Sequence, residues 1–518
     1  MAKTKAANAR TLGATSIVRQ AQGLLQSQRF EEAIQVLSRA RKRFPKHVDV
    51  CTALGSAYAR LGRFPAAEVA YLDACRLAPH RPDLQRIAGL ALQEMGSYQQ
   101  AELCFRRAAE LEPQSASNFA HLAQVLERQH RLDEAQEAFQ RALDLDSHSP
   151  AANLAAAVIA RRNGDLESAE NRLVQLLERN PPADIAWKAN YELAKVRDRS
   201  GCHGDAMEAL LAAKRLQEKD PRVPGCVQRA WRHRSRMNES LDELSAEQLE
   251  RWHSNAPATS DNSPAVLVGH PRSGTTMCLQ MLSAHPDVVG LDEKHPMGTV
   301  VHNGAVERLG EEESVPECLD RLSNSNIVQL RSAYWREVDR VIGEPLGSRV
   351  LIDKHPQYIA YLPSIMRVFG GSKIIFVVRD PRDVCLSCFM QAFSVNATSV
   401  SFLTLERTVD HYVQFMSSWR RIRDLLPSGW TEVKYEALAR DLPTYSRRIT
   451  EFLEVPWSEQ LLAFHELALH SHSTTPSYEA ITRPINTDAI GRWKHYAKEF
   501  EPHLEKLRPF VEEYGYST

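Results

Sequence analysis

The sequence predicts a multidomain chain with an all-α repeat solenoid at its N-terminus and an α/β domain with a parallel sheet after it. The first stretch of about 200 residues repeats with a period of 34, which is typical of stacked helix pairs. After residue 263, short runs of β-branched residues alternate with helical stretches, as expected for parallel strands covered by helices on both faces. The first of these runs leads directly into the glycine-containing loop Gly269–Thr276.

Alanine and glycine recur in phase through the repeats. The in-phase alanines are Ala33, Ala67, Ala101, Ala135 and Ala169, and the glycines that precede the second helix of a pair are Gly62, Gly96 and Gly164. Small alanines let two helices approach closely, and each pair must stack on its neighbour to bury its apolar face. The next alanine, Ala206, follows after a step of 37, which indicates an irregular terminal repeat. This pattern resembles the tetratricopeptide repeat family and covers about residues 14–215.

Composition sets the remaining domain boundaries. We expect residues 1–13 to be disordered, residues 216–263 to form a helical or flexible linker, and residues 264–518 to form the α/β domain. The linker prediction rests on a charged stretch that begins at Val227 and on a segment rich in Ser, Asn and Pro over residues 254–264.

Charge and cysteine content limit the classes of function. Lys and Arg number 64 against 65 Asp and Glu, so the net charge of −1 gives no global reason to expect nucleic acid as a partner. Nine scattered cysteines are typical of reduced thiols, and the pair Cys385 and Cys388 lacks the second pair that a zinc site needs. From the residues given we expect neither a signal peptide nor an apolar stretch long enough to span a membrane. We therefore expect a soluble cytoplasmic protein that works without a metal.

The loop after the first strand is a predicted anion site. Backbone N–H groups at the start of the following helix face a phosphate or sulfate bound there. Gly269 and Gly274 have the spacing of a nucleoside-triphosphate loop, but Thr275 stands where that loop has its lysine. The cation is instead Arg272, whose planar guanidinium binds oxyanions bidentately. The loop therefore favours a phosphate–sulfate anhydride bound without metal, and the donor-binding residues predicted in it are Arg272, Ser273, Gly274, Thr275 and Thr276.

A second predicted anion site follows the run Ile374–Val378. Arg379 stands at the carboxyl end of this strand, where open α/β sheets bind ligands, and Ser387 lies in the next helix. Together with the loop motif Pro271-Arg-Ser-Gly-Thr-Thr, this pair resembles the P-loop-type sulfotransferases that use 3′-phosphoadenosine 5′-phosphosulfate. The resemblance implies that the loop holds the 5′-phosphosulfate and that Arg379 and Ser387 hold the 3′-phosphate. A further arginine of that family is replaced by Gln391, which implies weaker binding of the 3′-phosphate or a substitute role for Arg382.

From Ala265 to about Trp493 the order of motifs most resembles the tyrosylprotein sulfotransferases. By that match Glu293 is the general base, Lys354 faces the leaving-group oxygen and Ser477 assists it. The resemblance also places three further residues on the donor, namely Tyr435, Asn486 and Arg492. Asp292 and His295 stay open as alternatives to Glu293, because each lies close to it in the sequence and could also accept a proton.

The sequence hypothesis is a sulfotransferase that moves a sulfuryl group from 3′-phosphoadenosine 5′-phosphosulfate to a hydroxyl. The resemblance implies that the acceptor is a tyrosine of a peptide or protein presented by the repeats, and saccharide or small-molecule acceptors stay open. A P-loop kinase or NTPase is an alternative that does not explain Thr275. The other alternative is a repeat scaffold with an inactive domain, and against it stands the fact that the site positions are intact apart from Gln391.

Overall fold

The computed structural model describes residues 2–27, 29–254, 263–307, 313–426, 428–468, 485 and 487–517. The chain divides into two compact units, Met1–Ala209 and Leu210–Thr518. The predicted sites at Ser477 and Asn486 lie outside the described residues.

Paired helices make up the first unit. The helices up to the boundary are α1 (Ala2–Gln26), α2 (Phe30–Arg43), α3 (Val48–Arg60), α4 (Phe64–Leu77), α5 (Pro82–Glu94), α6 (Tyr98–Leu111), α7 (Ala116–Arg128), α8 (Leu132–Leu145), α9 (Pro150–Arg162), α10 (Leu166–Glu178), α11 (Ala183–Arg199) and α12 (His203–Glu218). Helix α1 already begins at Ala2, whereas the sequence predicts disorder over residues 1–13. The alanines of this segment favour helix, which the composition-based boundary did not weigh.

Small residues let the helices of each pair pack closely. All five in-phase alanines are fully buried. Gly55 faces the ring of Tyr71 and Gly89 faces the ring of Phe105, where an added Cβ would lie 2.9 Å and 2.7 Å from the nearest ring atom. The turn between the helices of a pair needs a left-handed residue, and His130, with φ of 61°, supplies it in a repeat that lacks glycine at this position.

The second unit is built on a five-stranded sheet. The strands are β1 (Ala265–Gly269), β2 (Val288–Asp292), β3 (Val350–Lys354), β4 (Ile374–Val378) and β5 (Trp430–Lys434). They lie in the order β2-β3-β1-β4-β5, and every adjacent pair is parallel. Strands β1 and β4 are buried along their whole length, because helices cover both faces of the sheet. The fold class predicted from the sequence is thereby confirmed, although β2 was not among the predicted strands.

Fourteen further helices are described in the second unit. They are α13 (Val223–Glu243), α14 (Ala246–Ser254), α15 (Thr275–Ser283), α16 (Asn303–Val306), α17 (Val315–Asp320), α18 (Asn324–Ile342), α19 (Leu362–Val368), α20 (Pro381–Phe389), α21 (Leu405–Leu425), α22 (Tyr435–Arg440), α23 (Leu442–Leu453), α24 (Phe464–Ala468), α25 (Ala497–Phe500) and α26 (Leu504–Glu513). Among the shorter turns, the π-helical turn Met297–His302 and the 3₁₀ turn Pro356–Tyr361 follow β2 and β3. No helix in the described part of the chain is both long enough and apolar enough to cross a membrane.

The predicted linker contains two helices that pack on the second unit. Val223, Cys226 and Ala230 of α13 form a small core with Val400 and Leu403. In α14, the indole N–H of Trp252 donates a hydrogen bond to Asp320 over 2.6 Å. The sequence suggested a linker because α13 is rich in charge, but one of these charges, Arg234, donates a hydrogen bond to the hydroxyl of Ser401 over 3.0 Å. Residues 255–262, the centre of the Ser/Asn/Pro-rich segment, lie outside the described residues.

Candidate active site

Sheet topology places the phosphate loop at a crevice. Strand β1 has β3 on one side and β4 on the other, so the direction of chain progression reverses at its carboxyl end. Open α/β sheets bind ligands at such a switch point. The loop leaves β1 after Gly269 and enters α15 at Thr275, so the positive end of the helix dipole faces the crevice.

Left-handed backbone and close contacts shape this loop. Arg272 has φ of 71° and Gly274 has φ of 109°. A Cβ on Gly274 would lie 2.6 Å from the ring of Tyr435, so glycine is needed here for close approach as well as for conformation. Ser273 is almost completely buried, and among the described residues its hydroxyl has no hydrogen-bond partner. A buried hydroxyl of this kind fits an oxyanion bound in the loop.

The two predicted anion sites meet. The Nε of Arg272 donates to the hydroxyl of Ser387 over 3.1 Å, and Nη1 of Arg379 donates to the backbone oxygen of Arg272 over 3.2 Å. The guanidinium of Arg379 also lies 4.8 Å from the ring centroid of Tyr435. Its Nε is buried without a hydrogen-bond partner among the described residues. Four of the predicted donor-binding side chains therefore line one crevice.

Positive charge accumulates in this crevice. The pKa of Arg272 is lowered to about 10, chiefly by burial, and the charges of Arg379 and Arg492 contribute to this lowering. Arg272 therefore stays protonated at neutral pH. Like charges held close together repel each other, and a bound polyanion relieves that repulsion.

Lys354 connects the phosphate loop to two carboxylates. It ends β3 opposite Asp292, the last residue of β2, and its side chain is fully buried. Its Nζ lies 2.9 Å from Oε1 of Glu293, 2.5 Å from Oδ1 of Asp292 and 3.3 Å from Oγ1 of Thr276. Burial lowers the pKa of Lys354, but Glu293 and Asp292 together raise it by more, so the net pKa lies above its ordinary value. The ammonium is therefore charged and aimed at the start of α15.

The three candidates for the base differ in their surroundings. Glu293 has 34% of its side chain exposed, against 17% for Asp292, so Glu293 is the carboxylate that an acceptor reaches more easily. Both approach the ammonium of Lys354. Burial lowers the pKa of His295 to about 4, so its ring is neutral at pH 7 and a weak proton acceptor.

The segment with Arg492 is tied to the helix that carries Ser387. Asp383 of α20 accepts hydrogen bonds from the backbone N–H of Gly491 over 2.6 Å and of Trp493 over 2.9 Å. Arg379 donates to the backbone oxygen of Ala489. Asp383 was not among the site residues predicted from the sequence, although the repeated Asp of Arg379-Asp-Pro-Arg-Asp is a signal that could have pointed to it.

Arg382, the predicted substitute for the missing arginine, is engaged elsewhere. Its guanidinium pairs with Asp380 over 2.8 Å, donates to the backbone oxygen of Ser517 over 2.7 Å and lies 3.9 Å from the ring centroid of Trp493. Arg382 is 2% exposed. It therefore stabilises the packing of α20 against the C-terminal residues, and the substitute role loses its support.

Comparison with protein families agrees with this architecture. Residues 264–459 match the model of the Sulfotransferase family, and residues 18–82, 88–150 and 126–191 match models of the tetratricopeptide repeat. The chain carries tetratricopeptide repeats followed by a sulfotransferase-family domain. Both resemblances stated from the sequence are thus confirmed at the level of the two domains.

Individual relatives are distant. An uncharacterized protein of Aquifex aeolicus is 25% identical over 66% of this chain, which spans 44% of that protein's length. A putative protein-tyrosine sulfotransferase of Caenorhabditis briggsae is 29% identical over 48% of this chain and 88% of its own length. The protein-tyrosine sulfotransferase of Drosophila melanogaster is 26% identical over 44% of this chain and 47% of its own length. Among solved structures, the sulfotransferase domain from the Synechococcus PCC 7002 olefin synthase covers 51% of this chain and 99% of its own, at 20% identity and a TM-score of 0.35.

Proposed function

We propose that this protein transfers a sulfuryl group from 3′-phosphoadenosine 5′-phosphosulfate to a hydroxyl of a peptide or protein. The observation that carries the proposal is the contact of Lys354 with both Thr276 and Glu293. One buried ammonium thereby touches the loop proposed for the phosphosulfate and the carboxylate proposed as base. The guanidinium groups of Arg272 and Arg379 supply the positive charge that a donor with phosphate at both ends requires.

The proposed reaction is an in-line displacement at sulfur. Glu293 takes the proton of the acceptor hydroxyl, and the acceptor oxygen forms a bond to sulfur. The bond between sulfur and the oxygen that bridges to phosphate breaks, and adenosine 3′,5′-bisphosphate leaves with the electron pair. Lys354 stabilises the charge that grows on that bridging oxygen, which lowers the barrier because the charge is larger in the transition state than in the donor. Asp292 keeps the ammonium in place while Glu293 acts as base.

For the acceptor we propose a tyrosine hydroxyl held in a peptide that the repeats bind. Two relatives of the domain carry the name protein-tyrosine sulfotransferase, and concave surfaces of helical repeat arrays hold extended peptides. Ser477, Tyr435, Asn486 and Arg492 stay predictions as donor contacts in this proposal.

Transfer of labelled sulfate by the full-length protein tests the proposal. The acceptors are a tyrosine peptide, the same peptide with phenylalanine, a saccharide and a small phenol, and we expect label on the tyrosine peptide only. Glu293→Gln should lower kcat by roughly 10²–10⁴-fold and Lys354→Ala by roughly 10²–10³-fold. The matched control Glu501→Gln, at an exposed position, should leave kcat unchanged.

Calorimetry separates this enzyme class from a kinase or NTPase. We expect the wild-type protein to bind adenosine 3′,5′-bisphosphate without metal and Glu293→Gln to bind it about as tightly. Binding of ATP with Mg²⁺ but not of the bisphosphate would contradict the proposal, and so would full transfer activity in Lys354→Ala.

A further inference from the structure

The turn that carries Glu293 has an unusual backbone. Glu293 has φ of 55° and His295 has φ of 64°, so two of three consecutive residues adopt the left-handed conformation without being glycine. Each such residue costs on the order of 1 kcal/mol or more, and it persists only where the surroundings hold it. One restraint is the backbone hydrogen bond from Glu293 to the oxygen of Lys354, at 2.9 Å. It fixes the residue but not the turn that follows.

A stack of rings holds the other end of the turn. The rings of His295 and Tyr358 are stacked, with centroids 5.4 Å apart and planes 15° apart, and the ring of His355 lies 4.3 Å from that of His295. Tyr358 donates its hydroxyl hydrogen to Asp353 over 2.9 Å, and Tyr334 donates to the other oxygen of that carboxyl over 3.1 Å. Asp353, Tyr358 and Tyr334 are all completely inaccessible to solvent. The stack is therefore anchored in the core beneath β3.

Gly298 fixes the opposite edge of the His295 ring. A Cβ built on Gly298 would lie 2.2 Å from Nε2 and 2.3 Å from Cε1 of that ring. No side chain fits there unless the ring moves. The backbone N–H of Gly298 also donates to the oxygen of His295 over 3.1 Å. The ring is thus clamped between Gly298 and Tyr358.

The ring is suited to act through its shape. Burial keeps it neutral at pH 7, and its Nδ1 is buried without a hydrogen-bond partner among the described residues. The ring is therefore not held in place by a hydrogen bond from Nδ1 to a described residue. The face of the ring, by contrast, is in contact with Tyr358.

We propose that His295 is a positioning residue whose clamped ring sets the turn that presents Glu293 beside Lys354. This inference rests on the proposed function, because it assigns to Glu293 the role of base. A displaced ring lets the turn relax toward ordinary backbone angles, and the carboxylate then leaves its place. A shift of about 1 Å at a reacting group can lower the rate about 10²-fold.

Four variants of the full-length protein test this role by single-turnover transfer to the tyrosine peptide. His295→Phe keeps a flat ring on Tyr358 but is longer at the edge that faces Gly298, so its kcat should fall by less than that of His295→Ala. His295→Ala should lose roughly 10–10²-fold in kcat with unchanged affinity for adenosine 3′,5′-bisphosphate. Gly298→Ala should lose a similar factor. The double variant combines His295→Ala with Gly298→Ala. Its kcat should be almost the same as that of His295→Ala alone, because the ring that the added methyl group would displace is already absent.

A pH–rate profile adds a readout that mere loss of stability would not change. The acid limb of kcat should keep its midpoint in His295→Phe, because Glu293 remains the base. The inference is overturned if His295→Phe is as slow as Glu293→Gln while His295→Gln is active, since the nitrogen would then matter. The inference is also overturned if Gly298→Ala lowers kcat by the same factor in the wild type and in His295→Ala. If Glu293→Gln itself stays fully active, the proposed function fails instead, so the two failures are distinguishable.

Discussion

The glycines at the turns of the repeat array and those of the active site have different roles. Gly62 and Gly164 have φ of 74° and 87°, and an added Cβ at either would meet nothing within 4 Å. Gly274 also has a positive φ, but an added Cβ would meet Tyr435, and one on Gly298 would meet His295. At these turns of the array, glycine provides the left-handed backbone conformation that recurs at the same position in successive repeats. In the site, it makes room for one particular side chain, so substitutions there should affect activity and not only stability.

Among these substitutions, Gly274→Ala should give the largest loss of nucleotide affinity. Its Cβ would collide with Tyr435, whose ring lies against the guanidinium of Arg379. We expect affinity for adenosine 3′,5′-bisphosphate to fall by roughly 10²-fold or more, measured by calorimetry, since both ends of the donor site move.

The matched control is Gly343→Ala. Gly343 has φ of 77° at the end of α18, and an added Cβ there would meet nothing within 4 Å. This variant should lose about 1 kcal/mol of unfolding free energy and keep its nucleotide affinity. Equal affinity losses in the two variants would mean that backbone strain, and not crowding, explains the role of Gly274.

Asp353→Asn should remove the contribution that ionisation of Asp353 makes to the pH dependence of the unfolding free energy. Burial raises the pKa of Asp353 to about 7, even though hydrogen bonds from Tyr358 and Tyr334 lower it. A carboxyl with a raised folded-state pKa stabilises the fold below its unfolded pKa of about 3.9, and this contribution is lost as pH rises through about 7. The wild type should therefore lose roughly 2 kcal/mol of unfolding free energy relative to Asp353→Asn between about pH 5 and pH 7. Urea denaturation at a series of pH values measures the difference, and parallel curves for the two proteins would contradict it.

Asp383→Asn should have a smaller and more local effect. An amide can accept only through its one oxygen, so one of the two backbone N–H groups, of Gly491 or Trp493, loses its acceptor. The segment that carries Arg492 then loosens, and we expect affinity for adenosine 3′,5′-bisphosphate to fall about 10-fold. The control is Asp441→Asn at a helix N-cap outside the site, which should keep both its nucleotide affinity and its stability, because Asn caps a helix about as well as Asp. Unchanged affinity in Asp383→Asn would remove Asp383 from the donor site.

The parts of the molecule that were predictable are those that local sequence determines. The period of 34 follows from alanines and glycines in each repeat, and the phosphate loop follows from residues 269–276. Strand β2 was missed because Val288–Asp292 has Gly290 at its centre, and glycine is depleted in strands. Its pairing with β3 is what brings Asp292 and Glu293 to Lys354, 61 residues from Glu293 in the chain. The clamp of His295 by Gly298 and Tyr358 could not be predicted, because it depends on where two separate turns meet.

The smallest effect should come from His130→Gly, which makes the irregular turn of the array like the others. His130 has φ of 61° at the position that Gly62, Gly96 and Gly164 occupy in other repeats, and removing that strain should add about 1 kcal/mol to the unfolding free energy. The variant also loses the contact of 3.0 Å between Arg162 and the His130 ring, but Arg162 keeps its ion pair with Glu127. The converse variant, Gly164→His, should destabilise the array by a similar amount, and urea denaturation measures both. If His130→Gly is instead less stable than the wild type, the contact with Arg162 contributes more to stability than the backbone strain costs. The turns of the array would then depend on particular side chains as much as those of the site do.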